Sequence, residues 1–418
     1  MVSDFGMAAT AAVGIASKWH FVAIMIMAGL SSANGVLVAQ YWGKNDRRSA
    51  KTVTQLALWF GIKLLIPITL LITLFASSIL LLQTSDLTVI ELGASYLYYS
   101  FPVLLLTHLV IVAESSMRAS GDAFTPLLLG ALTIIVNIVL NFWFINGGLG
   151  LPMMGVAGAA LATSISRLLQ VCLIAYYLKR KKHWLIQEKS LQETHSLWLV
   201  YKTLAFPTAA NALLWAAGTL AYQTIFGHLG TSELAVYSML GPLESLCYSV
   251  FFGISVACSI LLGQALGRDE YAQALNMTYF FIRTVLVCGL FLGALLLSGS
   301  EYILSWLGLT GLALYPLASP AITILSCAIW LRMLNMLIIN GILRAGGDNL
   351  FCLRMDFIAM WMIGIPLAGY GAFIAEWDFR YVYLIMIVEE IVKFSLCFHR
   401  YLQRRWMNNL TLVAGLAS

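Results

Sequence analysis

Apolar residues in this chain fall in long unbroken runs rather than in alternation with polar ones. Eleven runs can be drawn, at 7–41, 52–81, 89–115, 123–145, 155–178, 199–226, 233–265, 273–298, 317–343, 349–373 and 380–400. A helix takes roughly 20 apolar residues to cross a hydrocarbon core about 30 Å thick. The longer runs predict tilted helices or helices that project beyond the bilayer. A β-barrel would show short segments of period two instead. The pattern therefore predicts an all-α polytopic membrane protein with eleven spans.

Composition narrows the class further. Of 418 residues, 61% are hydrophobic and only 10% are charged. Soluble chains carry about 45–50% apolar and about 25% charged residues, so a soluble enzyme, a disordered chain and a disulfide scaffold are all excluded. The 7 cysteines lie in or beside apolar runs without metal-ligand spacing, which reads as small buried hydrophobes. No phosphate loop, HExxH, GxSxG or dinucleotide fingerprint stands where it would work. An enzyme, a bound cofactor, a metal centre and a nucleic-acid partner are accordingly not expected.

Charge placement sets the orientation. One set of loops carries Lys44, Arg47, Arg48, Lys51, Arg118, Lys179, Arg180, Lys181, Lys182, Arg268 and Arg344. The alternate loops carry Asp86, Glu233, Glu301, Glu376 and Asp378 with a single base, Arg380. The positive-inside rule makes the first set cytoplasmic. The C-terminal end then lies in the cytoplasm and Met1 outside.

The chain also reads twice. Gly29-Leu30-Ser31-Ser32-Ala33, Gln40 and Gly43 recur at offset 224 as Gly253-Ile254-Ser255-Val256-Ala257, Gln264 and Gly267. The same offset carries Phe5-Gly6 onto Leu229-Gly230. Arg118-Ala119-Ser120-Gly121-Asp122 recurs at offset 226 as Arg344-Ala345-Gly346-Gly347-Asp348. Repeats of one hand predict two similar bundles with a substrate site between them. The expected organisation is an N-terminal lobe over 1–182, a cytoplasmic linker over 183–198, a C-terminal lobe over 199–405 and a cytoplasmic tail over 406–418. The second repeat opens with the run at 199–226, whose counterpart would precede Met1. The expectation is a twelve-span plan begun one helix late, through a misassigned start or as a genuine eleven-span protein.

These repeated segments resemble the MATE (multidrug and toxic compound extrusion) family of transporters over nearly the whole chain. The resemblance is carried by Gln40-Tyr41-Trp42-Gly43-Lys44-Asn45-Asp46, by the two Arg-Ala segments, by Asn137-Ile138-Val139-Leu140-Asn141 and by Gly155 through Thr163. It implies two six-helix lobes around a V-shaped cleft in the bacterial cytoplasmic membrane. It also implies export of cationic or amphipathic small molecules in exchange for H+ or Na+ by alternating access, with the chain acting as a monomer. Two departures leave the coupling ion open. The family's first-helix Asp has no counterpart, and Asn141 stands where some members carry Asp. A lipid-linked precursor flippase of the same superfamily is the rival reading, and a transport-inactive membrane protein is a third.

Ionisable groups inside a bilayer are expensive and mark function or fixed pairing. Glu244, in Gly241-Pro242-Leu243-Glu244-Ser245, is the leading candidate to bind a proton, Na+ or an organic cation. His20 lies at offset 224 from it, with Lys18 on another face of the same helix. Arg332 and Asn335 sit one turn apart, and a buried Arg needs a partner, for which Glu244 is suited. Asn137 and Asn141 share a face at i and i+4 and join Thr163 in a polar cluster that lines a cation or water site or bonds helices together. His108 lies at similar depth in the first lobe. Trp215 and Tyr222 are candidates to stack on a flat cation, with plain packing as the alternative. Asp356 with Arg354, and Glu389 and Glu390 with Lys393, read as ion pairs near the cytoplasmic helix ends.

Overall fold

The computed structural model describes residues 6–148, 150, 152–191, 194–311 and 314–412, and these form helices with no strand among them. Phe5 of the repeat alignment and residues 413–418 of the expected tail lie outside the described residues. The chain resolves into two compact units, one running to Ala209 and the other from Ala210 to Leu416. The break falls inside a helix, α9 (His195–Leu229), rather than in the stretch 183–198.

The first unit contains α1 (Met7–Gly43), α2 (Arg47–Leu74), α3 (Ala76–Leu81), α4 (Leu87–Tyr99), α5 (Val103–Ala119), α6 (Phe124–Asn146), α7 (Gly155–Arg180) and the short α8 (Trp184–Gln187). The run at 89–115 is a broken span, because α4 and α5 meet at a 47° bend. Pro102 at the break cannot donate to the helix ladder. The Ser164 hydroxyl of α7 donates to the Tyr99 carbonyl there at 2.7 Å. Inside the unit, Asn34 of α1 donates to the hydroxyls of Ser115 and Ser116 at 2.8 and 2.9 Å, and Thr54 of α2 meets Ser116 at 2.9 Å. This polar seam fixes three helices where apolar contact alone would let them slide, since lipid offers no hydrophobic drive between helices.

The second unit contains the rest of α9, then α10 (Thr231–Gly267), α11 (Tyr271–Ser298), α12 (Ser300–Trp306), α13 (Tyr315–Met336), α14 (Asn349–Asp356), α15 (Ile365–Phe373) and α16 (Phe379–Leu402). A π-helical segment, Leu337–Leu343, prolongs α13, and a second, Phe357–Gly364, joins α14 to α15. Residues 406–412 do not trail free. Trp406 is fully buried, stacked at 6.1 Å on Tyr401, and Asn409 donates to Asp269 at 2.8 Å.

Nine helices among the described residues are long and apolar enough to cross a membrane, and the α4–α5 pair makes a tenth. The eleventh run is α16, a 24-residue helix whose apolar character is interrupted by Glu389, Glu390 and Lys393. The repeat is visible in the backbone. Asn45 and Asp269, at offset 224, both take left-handed φ values, 64° and 60°. Gly121 and Gly347, at offset 226, do the same at 95° and 82°. In each of the latter turns the following Asp ties down a later helix of its unit, α7 in the first and α16 in the second. Asp122 accepts from the Tyr177 hydroxyl at 3.0 Å, and Asp348 takes a two-pronged contact from Arg400 at 2.6 and 3.0 Å.

Candidate functional site

In the second unit, five helices converge on a buried charged network. Arg332 of α13 donates through Nη1 to Glu244 of α10 at 3.0 Å, with only 5% of its side chain exposed against 20% for Glu244. Tyr383 of α16 donates to the same carboxylate oxygen at 3.1 Å. Arg332 Nε also lies 4.0 Å from Glu390. Glu390 accepts from Asn335 at 2.7 Å, and Asn335 spans to the Glu390 backbone carbonyl at 2.9 Å.

A second cation sits beside the first. Lys393 Nζ stands 3.4 Å from Asp356, 3.3 Å from Glu389 and 3.9 Å from Glu390. Asn211 of α9 donates to Asp356 at 2.8 Å. Tyr222, also of α9, donates its hydroxyl to Glu389. The network thus sets four carboxylates against two bases, and every carboxylate has a neutral donor. Gly364, the last residue of the second π segment, lies directly beneath. A Cβ there would strike the Tyr222 hydroxyl and approach Glu389 Oε2 to 2.7 Å. π segments of this kind recur where helices carry function.

Several expectations need correcting here. Asp356 does not pair with Arg354; it faces Lys393 and Asn211. Glu389 and Glu390 do pair with Lys393, but in the middle of α16 rather than at a helix end, and they form the core of the network because α9 and α14 close over them. Tyr222 is buried and spends its hydroxyl on Glu389, so its ring is not free to stack on a ligand. Trp215, on the same helix, is 49% exposed.

The first unit holds a polar site of different character. Asn141 donates to Asn137 at 2.9 Å, and Asn137 donates to Ser166 at 3.3 Å. Thr163 bonds the Ala159 carbonyl of its own helix at 2.9 Å, and it lines a cavity of about 660 Å³ with Asn137. That cavity also takes in Glu114, Arg118, Arg167 and Gln170, of which the sequence had singled out only Arg118, as part of the repeated turn. They form a chain in which Arg167 donates to Gln170 at 2.7 Å, Gln170 to Glu114 at 3.1 Å, and Arg118 to Glu114 at 3.4 Å. Arg167 inside an apolar run was the available signal.

The two histidines are structural neighbours of kinks and crossings. His20 is buried, 3.4 Å from the Ser100 hydroxyl at the α4–α5 break. Lys18 points outward and is exposed. His108 has no exposed surface, and its Nε2 lies 3.3 Å from the Ala57 carbonyl. Its ring rests on Gly61, where any Cβ would overlap it. With Lys393 in place, no three His, Cys, Asp or Glu side chains among the described residues are arranged to hold a metal ion.

Comparison with known proteins agrees with this architecture. The MatE family model matches residues 1–143 and 207–369, one stretch in each repeat. "Probable multidrug resistance protein YoeA" of Bacillus subtilis is 26% identical over 372 residues, covering 87% of this chain and 79% of that protein. "Probable multidrug resistance protein NorM" of Agrobacterium fabrum is 25% identical over 389 residues, covering 89% and 81%. The crystal structure of the eukaryotic MATE transporter AtDTX14 superposes with a TM-score of 0.87 at 19% identity, over 100% of this chain and 93% of that one. A matched model over both repeats and a shared helical fold together place this multi-pass membrane protein in the MatE family.

Proposed function

We propose that this chain is a secondary active exporter of cationic or amphipathic small molecules in the bacterial cytoplasmic membrane, with its C-terminal end in the cytoplasm. It exchanges its cargo for H+ or Na+ by alternating access and works as a monomer. The observation that carries this reading is the buried network around Glu244, Arg332, Asp356, Glu389, Glu390 and Lys393. Intramembrane charges are expensive relative to apolar packing, which marks a cluster of this density as a functional candidate. An acid-rich pocket is suited to a proton, a sodium ion or an organic cation. The names of the relatives in Bacillus subtilis and Agrobacterium fabrum support multidrug export as the cargo class.

Efflux of a cationic dye from vesicles under separately imposed proton and sodium gradients tests it. Gradient-driven efflux abolished by Glu244→Gln supports coupling through the network. Efflux untouched by that change keeps the exporter and moves coupling to the first unit. A flippase for a lipid-linked precursor is favoured by one feature only, the paired Arg118 and Arg167 in the first unit's cavity. Absence of dye efflux under both gradients, with the protein folded, would make that reading the leading one.

A further inference from the structure

We propose that Lys393 is a tethered cation that occupies the carboxylate cage of Asp356, Glu389 and Glu390 in place of a free monovalent cation, and that cation binding requires its displacement. This deepens the reading above and rests on it. The cage is defined by the three contacts of Nζ, at 3.4, 3.3 and 3.9 Å, which leave the ammonium close to all three carboxylates at once. A sodium ion or an organic ammonium seeking that point meets a group of the same charge already there.

Three features make displacement feasible. Each carboxylate keeps one neutral donor when the ammonium leaves: Asn211 on Asp356, Tyr222 on Glu389 and Asn335 on Glu390. The cage therefore survives as a hydrogen-bonded set of oxygens. Next, the lysine ammonium is a compact point charge on a flexible stem, whereas the neighbouring guanidinium is a rigid fork. Arg332 is held by Glu244, whose oxygen is also bound by Tyr383, so it is the fixed base and Lys393 the mobile one. Lastly, formal charge favours an incoming cation. Arg332 serves Glu244 and lies 4.0 Å from Glu390, so the network as a whole sets four carboxylates against two bases.

Neither the apolar pattern nor the repeat assigns this role. The three α16 residues lie past residue 369, where the family model's match ends. A tethered cation gives the site a resting state without free ion. It also sets a threshold, since a ligand must outcompete a group of very high effective concentration.

The test is equilibrium binding of radiolabelled sodium, and separately of methylammonium, to the purified full chain in detergent, with choline chloride as the ionic-strength control. Lys393→Ala is expected to bind one or both cations at least tenfold more tightly than the unsubstituted chain. Its thermal unfolding midpoint should rise with sodium or methylammonium but not with choline. Lys393→Arg, with a fork that holds two carboxylates, should bind at least tenfold more weakly. The proposal is overturned if folded Lys393→Ala binds no more tightly than the unsubstituted chain, or if choline stabilises it equally. Should Lys393→Ala fold only with methylammonium present, the cage is occupied as proposed. If it folds under no condition and Lys393→Arg binds normally, the proposal fails. None of these outcomes needs transport, so they stand apart from failure of the unsubstituted chain to move dye.

Discussion

Arg332 and Glu244 meet at 3.0 Å from helices 88 residues apart in sequence, with the guanidinium 5% exposed. Removing one partner of such a pair strands the other in low dielectric, at about 3–5 kcal/mol. Arg332→Leu alone should be destabilising on that scale. The double change Arg332→Leu with Glu244→Gln should cost clearly less than the two single changes summed, as read by thermal unfolding in a double-mutant cycle. Simple additivity would mean that the pair is not an energetic unit.

Gly364 has its own signature. Gly364→Ala puts a methyl group against the Tyr222 hydroxyl and Glu389, and overpacking of this kind costs about 1–3 kcal/mol. Dye efflux should fall with it. Tyr222→Phe removes the atom that is struck, so the alanine change should cost less stability in that background. Equal cost in both backgrounds would show that the crowding lies elsewhere.

His108 and Gly61 form the matching test in the first unit. Gly61→Ala should destabilise by about 1–3 kcal/mol because the new methyl overlaps the imidazole ring. His108→Ala should remove most of that cost when the two are combined. Failure of the combined variant to recover would assign the damage to the α2 backbone.

A pH effect is expected outside the membrane. His183 Nδ1 accepts the Leu185 amide at 3.4 Å and so caps α8, which requires a neutral ring. Burial pushes its pKa below the usual 6.5, with Asp122 opposing the shift. The unfolded chain then binds the proton more readily than the folded one. Stability is full above about 6.5 and falls as pH drops through that value towards the lowered folded pKa. His183→Asn keeps a capping oxygen without titrating, and should flatten this part of the stability profile. An unchanged slope would exclude His183 as its source.

Trp406 tests whether the C-terminal stretch belongs to the fold. It is fully buried and stacked on Tyr401. Trp406→Ala should cost about 3–5 kcal/mol, whereas a dispensable tail would lose almost nothing.

The fold was legible because apolar runs and basic loops are local signals. The Glu244–Arg332 contact was legible too, since a buried arginine demands a carboxylate and few were on offer. The rest of the network was not. Glu389, Glu390 and Lys393 lie within one turn of each other, so the spacing reads as complete in itself. Only the packing of α9 and α14 brings Asn211, Tyr222 and Asp356 onto them. Glu114 and Gln170 were missed for the same reason, because they stand on separate helices and meet only when α5 and α7 pack. Tyr222 was misread because aromatic character says nothing of where its hydroxyl is spent.

The left-handed turns at Asn45 and Asp269, and at Gly121 and Gly347, fall in register across the two repeats. The two repeats therefore share the turns that join their helices even where their side chains differ. In the first half Asn137 shares its cavity with Glu114, Arg118 and Arg167, while the other half gathers six ionisable groups in one buried network. A shared backbone plan thus carries two different arrangements of charge, with ion pairs strung along a cavity in one unit and closed into a buried core in the other.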